Sequence, residues 1–157
     1  MFLWFIGTAV LSVWYVFSDP RFDYRLLIVG VLLPDLVDLP AGTARAAHSL
    51  TVAVGVLAAV MIVTAGRKPQ RRLLLGLPIG MLLHLVWDGA FSSARVFWWP
   101  FSGDWGSVDV PSLERGWWNV PLEMLGAGAI WWLWRHFRLS ERERRIRFLR
   151  TGTLGPR

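Results

Sequence analysis

The chain has 157 residues, of which 54% are hydrophobic and 18% are charged, and its net charge is +6. This length suits a single domain, and the charged fraction lies below the quarter or so that is typical of soluble domains. The sequence contains no cysteine, which excludes disulfides and thiolate metal sites. Any metal would therefore need histidine and carboxylate ligands.

Apolar stretches along the chain predict a series of helices. In chain order they are Phe2–Phe17, Leu26–Leu39, Ala46–Ala65, Leu73–Trp87 and Val120–Trp134. A membrane-spanning helix needs roughly 17–25 apolar residues, and these stretches are nearly continuous rather than amphipathic. We therefore predict an all-α fold, a polytopic membrane helix bundle of about five transmembrane helices. The alternative is a soluble bundle whose helices are buried.

Basic residues set the predicted orientation of this bundle. They cluster at residues 67–72, between the third and fourth stretches, and in the arginine-rich C-terminal tail. Positive charge favours the cytoplasmic side, so we predict that the N-terminus lies outside and the C-terminus inside. Residues 1–138 would form the transmembrane domain and residues 139–157 a basic cytoplasmic tail. We expect this tail to bind anionic lipid rather than nucleic acid.

The segment between the fourth and fifth stretches is rich in tryptophan, which favours membrane–water boundaries. Its tryptophans are Trp98, Trp99, Trp105, Trp117 and Trp118. We expect them to anchor an outer loop at that boundary, and the alternative is that they stack on a substrate.

Aspartates and histidines occur at the ends of these stretches in a pattern that suits a metal. In the predicted topology they share the outer face, where ionisable groups are functional candidates. They form an oxygen and nitrogen ligand set that suits Zn²⁺ first, or Mn²⁺ or Fe²⁺, as one ion or two. The predicted metal ligands are Asp35, Asp38, His48, His84 and Asp88. Singly, each has a structural alternative; for example, His84 and Asp88 could form a local hydrogen-bonded pair.

Three residues are candidates for catalytic roles beside the metal. Arg45 could bind a phosphate bidentately, or it could act as a counter-ion for the carboxylates. Glu123 could be a ligand, a general base, or a charge favoured by the helix dipole. Asp38 could move a proton as well as ligate.

Four blocks of the sequence resemble the membrane-bound metal-dependent hydrolase family, also described as LexA-binding, inner-membrane-associated putative hydrolases. These blocks are Leu33–Pro40, Arg45–Leu50, His84–Asp88 and Phe97–Pro100, and the resemblance covers roughly Gly30 to Gly103. Many relatives have Pro-Asp-x-Asp-His and an additional histidine in the second block. Here Val37 stands at the second Asp position of the first pattern, and Asp38 stands at the position that follows it. Thr43 stands where the additional histidine would be.

The resemblance implies a small multi-pass protein of the bacterial cytoplasmic (inner) membrane, with metal-dependent hydrolase activity and the same five ligands. Together with the ligand pattern, it predicts an outward-facing hydrolase of the phosphatase or phosphodiesterase type. The expected partners are membrane lipids and a lipid or lipid-linked phosphoester substrate. The alternative is a non-catalytic membrane scaffold or transport component with a structural metal or ion site.

Overall fold

The computed structural model describes residues 1–38, 40, 44, 46–102 and 116–155, and these residues form an all-helical fold. Short 3₁₀ turns lie at Ala46–His48, Ala90–Ser92 and Gly116–Trp118. The α-helices are α1 (Phe2–Phe17), α2 (Tyr24–Asp38), α3 (Leu50–Val63), α4 (Lys68–Leu74), α5 (Gly76–Asp88), α6 (Ala94–Phe97), α7 (Asn119–His136) and α8 (Arg142–Thr151).

Each predicted apolar stretch corresponds at least in part to a helix, but the third and fourth stretches differ from the observed helices in their boundaries. The third stretch begins in a 3₁₀ turn, and α3 starts only after Ser49. The fourth stretch is divided: its first two residues end the short helix α4, Leu75 separates α4 from α5, and the rest lies in α5. Pro78 lies in the first turn of α5, where a residue without a backbone N–H is readily accommodated. A proline therefore marks the start of a new helix here.

The prediction of a transmembrane bundle is wrong. Within the described ranges, no helix combines the length and the apolar character that crossing a membrane requires. Helix α5 has 13 residues, and at about 1.5 Å per residue it covers roughly 20 Å of a hydrocarbon core about 30 Å thick. The longest helix, α7, contains Glu123 and Arg135. The predicted orientation, N-terminus out and C-terminus in, and the multi-pass location in the bacterial inner membrane are withdrawn with it.

The tightest contact in the fold is between α2 and α5, and glycine makes it possible. A Cβ atom at Gly30 would overlap the carbonyl oxygen of Leu77, and one at Gly80 would overlap that of Leu27. Only glycine lets the two backbones approach this closely. This contact brings the C-terminal half of α2 against the C-terminal half of α5, where the candidate ligands lie.

The main hydrophobic core lies where α1 and α7 join this pair. Its fully buried side chains include Phe5 of α1 and Leu27 and Val31 of α2, with Leu133 of α7 nearly so. Burial of a large aliphatic or aromatic side chain contributes about 1.5–3 kcal/mol. Several of the apolar residues that suggested a membrane are therefore accounted for by this core.

Helix α8 is fastened to the N-terminal end of α2. The Arg25 guanidinium donates hydrogen bonds to the carbonyl oxygens of Leu149 and Arg150 at 2.9 and 3.1 Å. The backbone N–H of Tyr24 donates to the carbonyl of Gly152 at 2.9 Å. Gly152 has a positive φ of 72° and adjoins the Asp23 carboxylate, where a side chain would clash.

Candidate metal centre

The C-terminal end of α2 supplies the first carboxylates of the site. Asp35 and Asp38 are three residues apart on this helix, so both project toward the same neighbour. That neighbour is His48. Asp38 is buried, whereas the Asp35 side chain retains 13% of its exposure.

His48 is held by the turn that precedes α3. It ends the 3₁₀ turn Ala46–His48 and is followed by Ser49. The Ser49 hydroxyl donates to the carbonyl of Ala46 at 2.8 Å and accepts from the N–H of Val52 at 3.2 Å. Ser49 is thus the N-cap of α3, and its two bonds fix the backbone that presents the His48 ring.

His84 enters from α5 and is fully buried. Its Nδ1–H donates to the carbonyl oxygen of Val31 at 2.7 Å, across the close contact of α2 and α5. The ring of Phe5 lies against it, with the ring centroids 4.2 Å apart. These contacts leave Nε2 of His84 turned toward His48 and Asp35.

Three ligand atoms from different elements meet in a nearly equilateral triangle. Nε2 of His48 lies 3.4 Å from Oδ1 of Asp35, and Nε2 of His84 lies 3.5 Å from the same oxygen. The two Nε2 atoms are 3.3 Å apart. A tetrahedral zinc site with bonds of about 2.0–2.1 Å has ligand–ligand edges of about 3.3–3.4 Å. The triangle therefore matches one face of such a tetrahedron, and this buried group could hold a metal ion.

The far nitrogen of each ring is also occupied, as in many metal sites. Nδ1 of His48 hydrogen-bonds to Oδ2 of Asp38 at 2.7 Å, and Nδ1 of His84 bonds to Val31. Metal-ligating histidines commonly donate this second N–H to a carboxylate or a backbone carbonyl. With Nδ1 protonated, Nε2 of a neutral ring carries the lone pair that a metal needs.

The pKa values of the two imidazoles shift in opposite directions, because neighbouring carboxylates dominate at His48 and burial dominates at His84. Burial favours the neutral ring of His48, but hydrogen bonds with Asp35 and Asp38 outweigh it and raise the pKa of His48 to about 9. For His84, burial is the main cause that lowers its pKa to about 4, and the attraction of Asp35 only partly opposes it. Without metal, the His48 ring is therefore doubly protonated and positively charged between the carboxylates near neutral pH, while the His84 ring is neutral.

Asp35 takes part in the same balance. Burial raises its pKa, but the hydrogen bond from His48 and the electrostatic interactions with both histidines outweigh burial, so the pKa of Asp35 lies below its usual value. The carboxylate is therefore ionised near neutral pH and ready to ligate.

The structure brings three of the predicted ligands together and places the others around them. Asp38 lies behind His48, on the Nδ1 side of the ring. Asp88, at the end of α5, is fully buried, and its charge also raises the pKa of His48. Neither belongs to the group of atoms close enough to share one ion.

Neither of the two remaining catalytic candidates, Glu123 and Arg45, is observed among these ligand atoms. Glu123 accepts hydrogen bonds from the backbone N–H groups of Leu3 and Trp4, at 2.8 and 3.2 Å. A carboxylate at a helix N-terminus is favoured there by the exposed N–H groups and the dipole, so Glu123 caps α1. Arg45 lies outside the described residues, and its role stays a prediction.

One participant was missing from the sequence analysis. The carbonyl of Val31 fixes the tautomer of His84, but a backbone group has no sequence signature. The only available signal was indirect, since the glycines at positions 30 and 80 permit the contact that delivers this carbonyl.

Comparison of the chain with protein-family models, curated proteins and solved structures finds no match. The resemblance to the hydrolase family therefore stays a prediction based on its four sequence blocks.

Proposed function

We propose that this protein is a metal-dependent hydrolase whose ion is held by Asp35, His48 and His84. The observation that carries the proposal is the triangle of ligand atoms with edges of 3.3, 3.4 and 3.5 Å. Among ions that accept imidazole and carboxylate ligands, Zn²⁺ fits these tetrahedral edges best. Mn²⁺ and Fe²⁺ accept the same donors but favour higher coordination numbers.

Three protein ligands leave the fourth tetrahedral position open, as in catalytic zinc sites. When bound there, a divalent ion lowers the pKa of water and polarises a phosphoryl or carbonyl oxygen. Asp38 holds the His48 ring in place through Nδ1, and Val31 does the same for His84. Asp88 contributes negative charge beside His48, and we propose it as the general base.

For the substrate we propose a phosphoester, because a divalent ion and a guanidinium together suit stabilisation of phosphoryl charge. The lipid part of the earlier prediction depended on a membrane location, so it is not carried over. Arg45, three residues before His48 in the sequence, would bind the phosphoryl oxygens, since a guanidinium offers a bidentate donor pair.

A structural metal site is the second candidate, and one observation favours it. His48 and His84 are 1% and 0% exposed, and closed, buried coordination is typical of structural zinc. The exposure of Asp35 argues against it. Its side chain is 13% exposed, so solvent can reach the residue that supplies one corner of the triangle. The two candidates differ in whether a small molecule can enter the coordination sphere.

The first experiment is elemental analysis of purified protein, followed by zinc titration of the chelated protein. Wild type should hold close to one ion per chain, and His84→Ala should hold none. Asp19→Asn is the control, because Asp19 is a partly exposed carboxylate paired with Arg72 away from the triangle. Wild type that takes up no metal even in excess zinc would overturn the proposal.

The second experiment separates catalysis from structure in the loaded protein. Hydrolysis of bis(p-nitrophenyl) phosphate should depend on added zinc and should fall in Asp88→Asn without loss of metal. A stoichiometric site with no hydrolysis, and a large loss of thermal stability on chelation, would support the structural candidate instead.

A further inference from the structure

A second site lies beside the N-terminal half of α2, whereas the candidate ligand Asp35 lies near the C-terminal end of that helix. It is an open cavity of about 400 Å³ between α1, α2, α7 and α8, a volume within the range of small-molecule sites. Carbon atoms form almost all of its lining. Among the described residues that line it, Arg145 is the one basic residue, and it contributes its aliphatic stem, so its guanidinium lies at the rim. Ile28, Leu133, Trp134, Phe148 and Leu154 are among the lining residues.

Hydrogen bonds hold the walls of this cavity in place. Arg25 fastens the end of α8 through the carbonyls of Leu149 and Arg150. The indole N–H of Trp134 donates to the Ser140 hydroxyl at 3.0 Å, which satisfies its one polar atom and leaves its ring carbons for the cavity. The cavity is thus part of the fold, and a ligand would pay little to order it.

Arg145 stands at the edge of the cavity with its charge unpaired among the described residues. It shares a face of α8 with Phe148 and Leu149, three and four residues on. Glu141, four residues before Arg145, pairs with Arg144 at 2.9 Å and Arg138 at 3.8 Å. Glu143 is only two residues before Arg145 and so lies on a different face of α8. An apolar cavity with one cationic group at its edge fits a ligand that has an apolar body and an anionic end.

We propose that this cavity binds a single-chain anionic amphiphile, with the hydrocarbon chain inside and a carboxylate or phosphate head against Arg145. The apolar lining disfavours an extended peptide segment, since its buried backbone N–H and C=O groups would find no partners there. An apolar cavity of this kind gains by taking up hydrocarbon rather than water. The proposal is independent of the metal site.

The test is calorimetric titration of the full chain with three probes, all below their micellar concentrations. They are dodecanoate, dodecyl phosphate and dodecyl maltoside, which share a chain and differ in the head. Both anions should bind with one site per chain, and the uncharged maltoside should bind at least threefold more weakly. The stronger of the two anions identifies the head group as carboxylate or phosphate.

Variants locate the site. Arg145→Gln should weaken both anions by roughly three- to fivefold, the range for a partly exposed ion pair, and should leave the maltoside unchanged. Arg144→Gln is the matched control, because Arg144 pairs with Glu141 outside the cavity, and it should change nothing. Ile28→Trp should fill the cavity and weaken all three probes at least tenfold.

If Ile28→Trp does not fold, Leu154→Trp is the alternative cavity-filling variant, because Leu154 lines the cavity from the non-helical segment after α8. Absence of dodecanoate and dodecyl phosphate binding to wild type would overturn the proposal. Equal effects of Arg144→Gln and Arg145→Gln, or undiminished binding to a folded cavity-filling variant, would do so as well.

Discussion

Each end of α2 has a buried or nearly buried aspartate, and the two aspartates differ in the basic side chains that they contact. At the N-terminal end, Asp23 pairs with the Arg25 guanidinium at 2.6 Å and also accepts the Arg25 backbone N–H at 2.9 Å. At the other end, the ion-pair partners of Asp35 within the described part of the chain are the imidazoles of His48 and His84.

This difference shows how partners assign a role to the same residue type. A guanidinium stays protonated at any ordinary pH, so near neutral pH the Asp23–Arg25 pair persists, and Arg25 fastens α2 to α8. An imidazole can give up its proton, and its nitrogen then becomes a metal ligand. The Asp35 end is therefore the one that can exchange a proton for an ion.

The largest expected effect compares the two aspartates directly. Asp35→Asn should weaken zinc binding by about a hundredfold or more, since even groups behind the ligands contribute about 10- to 100-fold. Asp23→Asn should leave zinc affinity unchanged, because Asp23 lies at the other end of α2. Competition titration with a chromophoric chelator measures both, and equal losses would refute the division of roles.

The next effect is the pH dependence of metal binding. Because the pKa of metal-free His48 is raised to about 9, an incoming ion must displace its proton at neutral pH. Zinc affinity should therefore rise about tenfold per pH unit between pH 6 and pH 8, with about one proton released per ion. Asp38→Asn removes a carboxylate that raises this pKa, so its dependence should be shallower. A flat profile in wild type would contradict the assignment of His48.

The contact that joins α2 to α5 offers a third test. Gly80→Ala should destabilise the fold by about 1–3 kcal/mol, the usual cost of overpacking, because its Cβ would overlap the α2 backbone. Zinc affinity should fall too, since the Val31 carbonyl is displaced from His84. Gly55→Ala in α3 is the control: nothing lies within 4 Å of its Cβ position, and alanine is the better helix former by roughly 0.5–1 kcal/mol. Urea unfolding measures the free energy of unfolding of both variants. Equal changes in that free energy for Gly80→Ala and Gly55→Ala would contradict this account.

The smallest effect belongs to the Arg25 end. Burial raises the pKa of Asp23, but hydrogen bonds from Arg25 outweigh it and hold the pKa below its usual value. The pair therefore stabilises the fold above the unfolded pKa of about 3.9, and this contribution is lost as pH falls through the folded pKa. Asp23→Asn keeps a good N-cap but removes the charge, so its urea midpoint should lie below that of wild type at pH 7 and by a smaller margin at pH 3. Midpoints that differ equally at both values would contradict this.

Much of the local structure could be predicted from the sequence. The apolar stretch Phe2–Phe17 coincides with α1, and the second and fifth stretches correspond closely to α2 and α7. The candidate ligands were identified by residue type and by spacings of three and four within single helices. Both results depend on interactions between residues close in sequence, which a sequence displays directly.

The environment of the helices could not be predicted in this way. A continuous apolar run looks alike whether lipid or other helices surround it. The transmembrane interpretation depended on the length of these runs, and no helix of the described residues is both long and apolar enough to cross a membrane. Glu123 shows the same problem for a single side chain, because its partners, Leu3 and Trp4, lie about 120 residues away.

The sequence alone thus determined the helices, the absence of thiolate ligands and the choice of histidine and aspartate as donors. Only the tertiary structure decided that Asp35, His48 and His84 form the triangle, that Asp38 supports His48 from behind, and that a cavity lies beside Arg145. The physical reason is distance: these contacts join residues far apart in the chain, and the close packing of α2 and α5 sets them to within ångströms.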